Sequence, residues 1–128
     1  MLLGAPFVPI APTVLKRMIE LLTIQPGEKA ADLGAGDGRV VIELARAGAK
    51  AQGYEINPLL VLASRKNIKH AEMALRLRSG QASVHWKNFW KQDLSSFQVE
   101  TLFGMPHMMK KLQEKLAKEL KPGSRVIS

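Results

Sequence analysis

The chain has 128 residues, room for one domain with its own core. Its 46% hydrophobic content argues against a disordered tail, and the absence of cysteine excludes a disulfide scaffold, a Cys-ligated zinc and a thiol nucleophile. The formal net charge is +8, and all of the excess lies in residues 61–128, because residues 1–60 balance six basic against six acidic side chains.

The apolar start Met1-Leu2-Leu3 is soon interrupted by Gly4, Pro6, Pro9 and Pro12, far short of the roughly 20 apolar residues that span a bilayer. With no basic residue ahead of it, it does not read as a cleavable signal. Residues 1–12 are expected to form an extended lead-in, since each proline fixes φ and disfavours helix before it. Thr13 is the expected N-cap of a helix through Leu22, with Val14, Met18 and Leu21 or Leu22 inward. After the Gln25-Pro26-Gly27 turn, Lys29 to Leu33 reads as a buried strand running into Gly34-Ala-Gly-Asp-Gly38. A helix from Arg39 to Ala47 follows, with Val41, Leu44 and Ala45 inward and Gly48 as its stop.

A second strand runs from Ala49 to Ile56, and Asn57-Pro58 opens the next helix, Asn as cap and Pro in the first position. Val61, Ser64, Ile68, Ala71 and Leu75 keep helical spacing until Ser79-Gly80 breaks it. Ala82 to Trp86 and Val99 to Phe103 read as strands three and four. His107 to Leu120 is an amphipathic helix with Met109, Leu112, Leu116 and Leu120 inward, and Arg125 to Ser128 a fifth strand. Strands alternating with helices over one domain, residues 1–128, predict an α/β, Rossmann-like, doubly wound and mostly parallel sheet.

The informative stretch is Asp32-Leu33-Gly34-Ala35-Gly36-Asp37-Gly38, between a strand and a helix. Glycines there permit a tight turn and bring a ligand against bare backbone, and the following helix start offers N–H groups. Glu55, seventeen positions after Gly38, ends the next strand, where a carboxylate takes the hydroxyls of an adenosine ribose. The spacing is G-x-G-x-G, not the dinucleotide G-x-G-x-x-G. Two flanking acids, Asp32 and Asp37, would repel a pyrophosphate by about 1 kcal/mol or more each. They suit a ligand bearing an ammonium and a sulfonium, which points to S-adenosylmethionine.

These residues, with Gly53-Tyr-Glu-Ile-Asn-Pro58, resemble a class I (seven-strand) S-adenosylmethionine-dependent methyltransferase. Pro6-Phe-Val-Pro9 and Phe103-Gly-Met-Pro-His-Met-Met109 narrow the resemblance to the lysine N-methyltransferases that act on the adenine nucleotide translocase and the ATP synthase c-ring protein of mitochondria. The resemblance implies that Asp32, Leu33, Gly34, Ala35, Gly36 and Gly38 cradle the methionine end of the cofactor. It implies further that Glu55 holds the ribose, that Ile56 and Asn57 flank the adenine, and that Asn88 and Phe89 contact it. Phe7, Phe103, Gly104, Met105 and Pro106 would lie on the substrate side. The implied substrate is a lysine side chain of a membrane protein; a small molecule or RNA, or a non-catalytic cofactor-binding module, are the alternatives. The implied setting is the mitochondrial inner membrane, or the cytoplasm for a prokaryotic relative.

No general base or metal site stands out. His107 is the nearest candidate and reads first as a capping or surface histidine; His85 and His70 read as structural. Trp86, Phe89 and Trp90 with Lys87 and Lys91 read as a cofactor wall and strand-edge packing in preference to base stacking, so nucleic acid is not the expected partner. The basic excess, with Lys110, Lys111, Lys115 and Lys118 on one helix, fits an anionic membrane surface better. Two departures from the family pattern stand out. Glu100 falls where an apolar residue is expected and should lie at the entry of strand four or face a cavity. The sequence given ends inside strand five, before the last two strands of the superfamily sheet, so that strand is expected to be an uncovered edge that pairs with a second copy.

Overall fold

The computed structural model describes residues 10–103 and 108–127. Five strands form one sheet, all pairs parallel, in the order β3-β2-β1-β4-β5: β1 Lys29–Leu33, β2 Lys50–Glu55, β3 Ala82–Trp86, β4 Val99–Thr101 and β5 Arg125–Ile127. Helix α1 Pro12–Leu21 precedes β1, α2 Arg39–Arg46, α3 Pro58–Ala74 and α4 Met109–Glu119 link successive strands, and a 3₁₀ turn at Phe89–Lys91 lies between β3 and β4. The chain builds β1, β2 and β3 outward to one side and then crosses to β4 on the other. The strand order therefore reverses beside β1, and a crevice opens at the carboxyl ends of the strands there.

Alternation along each strand sorts the core into two layers. Ala30, Ala51, Val84 and Val99 face α1, α2 and α3 and pack with Leu15, Ile19, Val41, Leu44, Val61 and Ile68. Ala31, Leu33 and Tyr54 face the other way and meet Phe89, Leu94, Phe97, Leu102, Leu112 and Leu116, the last two from α4. Small residues at the crossing of β1 and β2 let the helices approach closely. At Gly53 an added Cβ would stand 2.5 Å from Ala35 Cβ and 2.8 Å from Val41 Cγ2, so the glycine loop can cross β2 only because that position is bare.

α1 begins two residues before the expected start: Ala11, not Thr13, is the N-cap, extended and without a side-chain bond, and Pro12 opens the helix, where its missing N–H costs nothing. Its buried stripe is Leu15, Ile19 and Leu22, whereas Val14 is 50% and Leu21 63% exposed. The sequence carries two interleaved apolar stripes one residue, about 100°, apart. The stripe continuing into Ile24, which also packs on the core, is the one buried. α3 opens as expected, with Asn57 Oδ1 accepting from the Leu59 and Leu60 N–H groups at 3.0 and 3.4 Å. Its last expected inward residue, Leu75, is 41% exposed, because the helix ends at Ala74.

β4 ends at Thr101, two residues before the expected boundary, and Phe103 packs against the α1–α3 layer. Glu100 stands in the middle of β4, not at its entry; it is fully buried and neither carboxylate oxygen has a hydrogen-bond partner among the described residues. Burial pushes its carboxyl up to about 8. β5 is an edge of the sheet, with Val126 42% exposed. It is tied back by Arg125, whose Nε donates to the Leu22 carbonyl at 2.9 Å and whose Nη1 donates to Glu28 Oε2 at 3.0 Å. No helix of the described residues is long and apolar enough to cross a membrane.

Candidate functional site

The crevice is built from the ends of β1 and β2 and the loop that leaves β1. Gly34, Gly36 and Gly38 all adopt positive φ (80, 56 and 87°), so the chain turns back over its own strand. Gly34 and Ala35 N–H groups both donate to the Tyr54 carbonyl at 3.0 Å, which docks the loop on β2. Gly38 serves as the left-handed N-cap of α2, and an added Cβ there would meet Ser64 Cβ at 3.0 Å. Ser64 is itself fully buried in α3, so this glycine also sets how closely α3 approaches the loop.

Glu55 is the hub. Its Oε1 accepts the Gly36 N–H at 2.8 Å and its Oε2 accepts the Asn57 N–H at 2.9 Å, joining the glycine loop to the start of α3. The residue is 8% exposed and its carboxylate keeps further lone pairs, so a vicinal diol can bind it without displacing either backbone donor. Ile56 and Asn57 follow it in the chain; the Trp86 indole N–H donates to the Ile56 carbonyl at 3.0 Å and holds that segment against β3.

Asp32 is 2% exposed at the end of β1. Its Oδ1 accepts the Thr101 hydroxyl at 2.7 Å, while Oδ2 makes no hydrogen bond among the described residues. Burial raises its carboxyl to about 7; the Thr101 bond opposes that rise and the charge of Glu55 adds to it. Asp37 does not act beside it. Arg39 grips Asp37 through two nitrogens, Nε to Oδ1 at 3.1 Å and Nη2 to Oδ2 at 2.8 Å. Burial pushes the Asp37 carboxyl up, and the bonds and charge of Arg39 outweigh it, leaving it below the usual range. Of the two acids expected to favour a cationic ligand, only Asp32 lacks a cationic partner among the described residues, so the electrostatic case rests on it.

On the adenine side, Asn88 caps the 3₁₀ turn, its Oδ1 accepting from the Trp90 N–H at 3.0 Å. That bond uses one of the two lone pairs of the oxygen, so the other lone pair and the side-chain NH₂ remain for a ligand. Phe89 lies inside the second core layer at 4% exposure, its ring 4.8 Å from that of Trp90, and does not form an open wall. Trp86, by contrast, is 64% exposed. Phe7, Gly104, Met105 and Pro106, with His107, lie outside the described residues.

His85 is half-buried against Tyr54, ring centroids 6.0 Å apart, and burial, with Lys87 and Arg65 nearby, keeps it below its ordinary value. His70 is exposed on α3. The α4 lysines divide: Lys115 donates to the Gln92 carbonyl at 2.7 Å and to Glu119 at 2.6 Å, so its charge is spent internally. Lys110, Lys111 and Lys118 are exposed.

This arrangement matches known proteins closely. A rat lysine N-methyltransferase named for the ATP synthase c-ring protein is 37% identical over 123 residues, 96% of this chain and 54% of its own length. A protein-lysine N-methyltransferase of the archaeon Saccharolobus islandicus is 37% identical over 125 residues, 96% of this chain and 74% of its own. A crystal structure described as an RNA methyltransferase from Salinibacter ruber, with S-adenosyl-L-homocysteine, superposes at a TM-score of 0.83 with 38% identity, covering 93% of this chain and 75% of that one. The chain thus spans about half the length of the vertebrate relatives it matches. Residues 32–128, from the buried aspartate onward, match the ANTKMT methyltransferase domain, and the chain belongs to that family.

Proposed function

We propose that the chain binds S-adenosylmethionine in the crevice at β1 and β2 and supports methyl transfer to a lysine side chain of a protein. The observation that carries this reading is one glycine loop with a buried, unneutralised aspartate at its start and a glutamate with free lone pairs bonded to its middle glycine. The bound cofactor would supply an electrophilic methyl group on sulfur. Asp32 and the bare backbone of Gly34 to Gly38 would take its amino-acid end, Glu55 its ribose, and Ile56, Asn57 and Asn88 its adenine edge. Leu33 and Ala35, both buried, set the loop's packing and contribute backbone only. Phe103, just after β4, with Phe7, Gly104, Met105 and Pro106, would admit the target nitrogen.

Transfer is an in-line displacement, so alignment is the main demand on the protein. A lysine amine must also be neutral to attack, and desolvation in a closed site achieves this without a dedicated base. The lysine assignment is supported by the names of the rat and archaeal relatives. An RNA substrate is the second reading, favoured by the description of the Salinibacter structure. Labelled cofactor offered to membrane protein and to RNA separates them: label in protein, lost when lysines are acetylated, supports the first, and label in RNA alone overturns it.

For a membrane-protein substrate, in mitochondria or a prokaryotic cell, Lys110, Lys111 and Lys118 would lean on anionic lipid. The β5 edge would take a second copy. Salt-sensitive binding to anionic and not neutral vesicles is the expected result for the first. A dimer by light scattering that a Val126→Lys variant dissociates is expected for the second.

A further inference from the structure

Thr101 belongs to no motif, yet it occupies a telling position. It is fully buried in β4 and pairs in register with Asp32 of β1. Both side chains therefore lie on the same face of neighbouring strands, and the hydroxyl meets the carboxylate at 2.7 Å. Packing does not require that hydroxyl: valine has the same shape and suits a buried central strand better. A hydroxyl buried in an apolar layer is costly unless it is bonded, and this one is bonded to Asp32. We propose that Thr101 is the positioning residue of the cofactor site, holding one oxygen of Asp32 so that the other is presented to the amino group of S-adenosylmethionine.

The inference rests on the cofactor reading above and assigns it a further participant. The donation acts in two ways. It fixes the rotation of the carboxylate, and it favours the ionised form that an ammonium needs, against burial and against the charge of Glu55, which both raise Asp32. The other acid of the loop, Asp37, is already held by Arg39 through two nitrogens.

The test is calorimetric titration of the full chain with S-adenosylhomocysteine from pH 6 to 9, for the parent, Thr101→Val, Thr101→Ser and Asp32→Asn, with folding checked by circular dichroism. Thr101→Val is expected to bind about tenfold more weakly near pH 7, with the loss recovered toward pH 9 because the pH midpoint of binding moves up. Thr101→Ser, which keeps the donor, should bind within about twofold of the parent. If Thr101→Val does not fold, Thr101→Ala removes the same hydroxyl without an added branch and decides in its place. A folded hydroxyl-free variant with the parent's affinity and pH midpoint, beside a weakened Asp32→Asn, overturns the role of Thr101 and leaves the cofactor reading standing. Absent binding by the parent, or an unaffected Asp32→Asn, overturns the cofactor assignment of Asp32 and this proposal with it.

Discussion

Asp32 in β1 and Glu100 in β4 are both buried carboxylates, 2% and 0% exposed, on neighbouring strands and opposite faces of one sheet. Around Asp32 the polar groups have partners: Thr101 donates to it, Glu55 ties Gly36 to Asn57, and Asn57 caps α3. Around Glu100 there is no donor among the described residues, and the layer it faces is built largely from leucine and phenylalanine. One carboxylate is poised by its surroundings and the other is only tolerated by holding a proton. Burial alone therefore does not distinguish the two acids; a dedicated donor and an open second oxygen do.

Replacing Glu100 with leucine should give the largest effect and the opposite sign to most core changes. Its carboxyl rises to about 8 in the fold, so the folded chain keeps a proton that the unfolded chain has released. That contribution is fully present below about pH 4.5 and is lost as the pH rises toward 8. Urea unfolding of Glu100→Leu at pH 8 should show a gain on the order of 3 kcal/mol, with a flatter pH profile. The remaining slope, between about pH 4 and 7, should belong to Asp32 and has the same sign. A Glu100→Leu variant less stable than the parent would erase the contrast.

At the satisfied end, Glu55→Ala strands two backbone donors and should weaken S-adenosylhomocysteine binding by about 2 kcal/mol in calorimetry. Gly53→Ala forces a Cβ against Ala35 and Val41 and should destabilise by about 1–3 kcal/mol in denaturant unfolding, without a pH signature. Asn57→Ala removes the α3 cap and should cost about 1 kcal/mol in the same measurement. If that loss appeared also as a weaker cofactor affinity, the cap and the adenine segment would be one unit.

Strand positions were legible because apolar runs between glycine turns have few other readings; β1 and β3 match their expected limits at both ends. The glycine loop and the Glu55 that bonds to it were legible because their geometry depends on local spacing. What sequence left open was decided by partners distant in the chain. Leu15 and Val14 are equally apolar, and only packing on the core selects between them. Asp37 reads as an acid for the ligand until Arg39, two residues on, closes upon it. Thr101 belongs to no local motif, because its partner is 69 residues away. The hint it does carry is a polar side chain in a buried strand, which it shares with its neighbour Glu100.

Arg125 joins the fifth strand to the turn that precedes the first, with partners 97 and 103 residues away. Such contacts reward the chain only after nearly all of it has been ordered, so this edge should be the last part of the sheet to close during folding and the first to open. Backbone amides of Arg125–Ile127 should therefore exchange with solvent faster than those of β1, and breaking the Arg125–Glu28 pair should speed exchange in β5 while leaving β1 and β2 protected. The rim of the sheet would then loosen without disturbing the crevice on its other side.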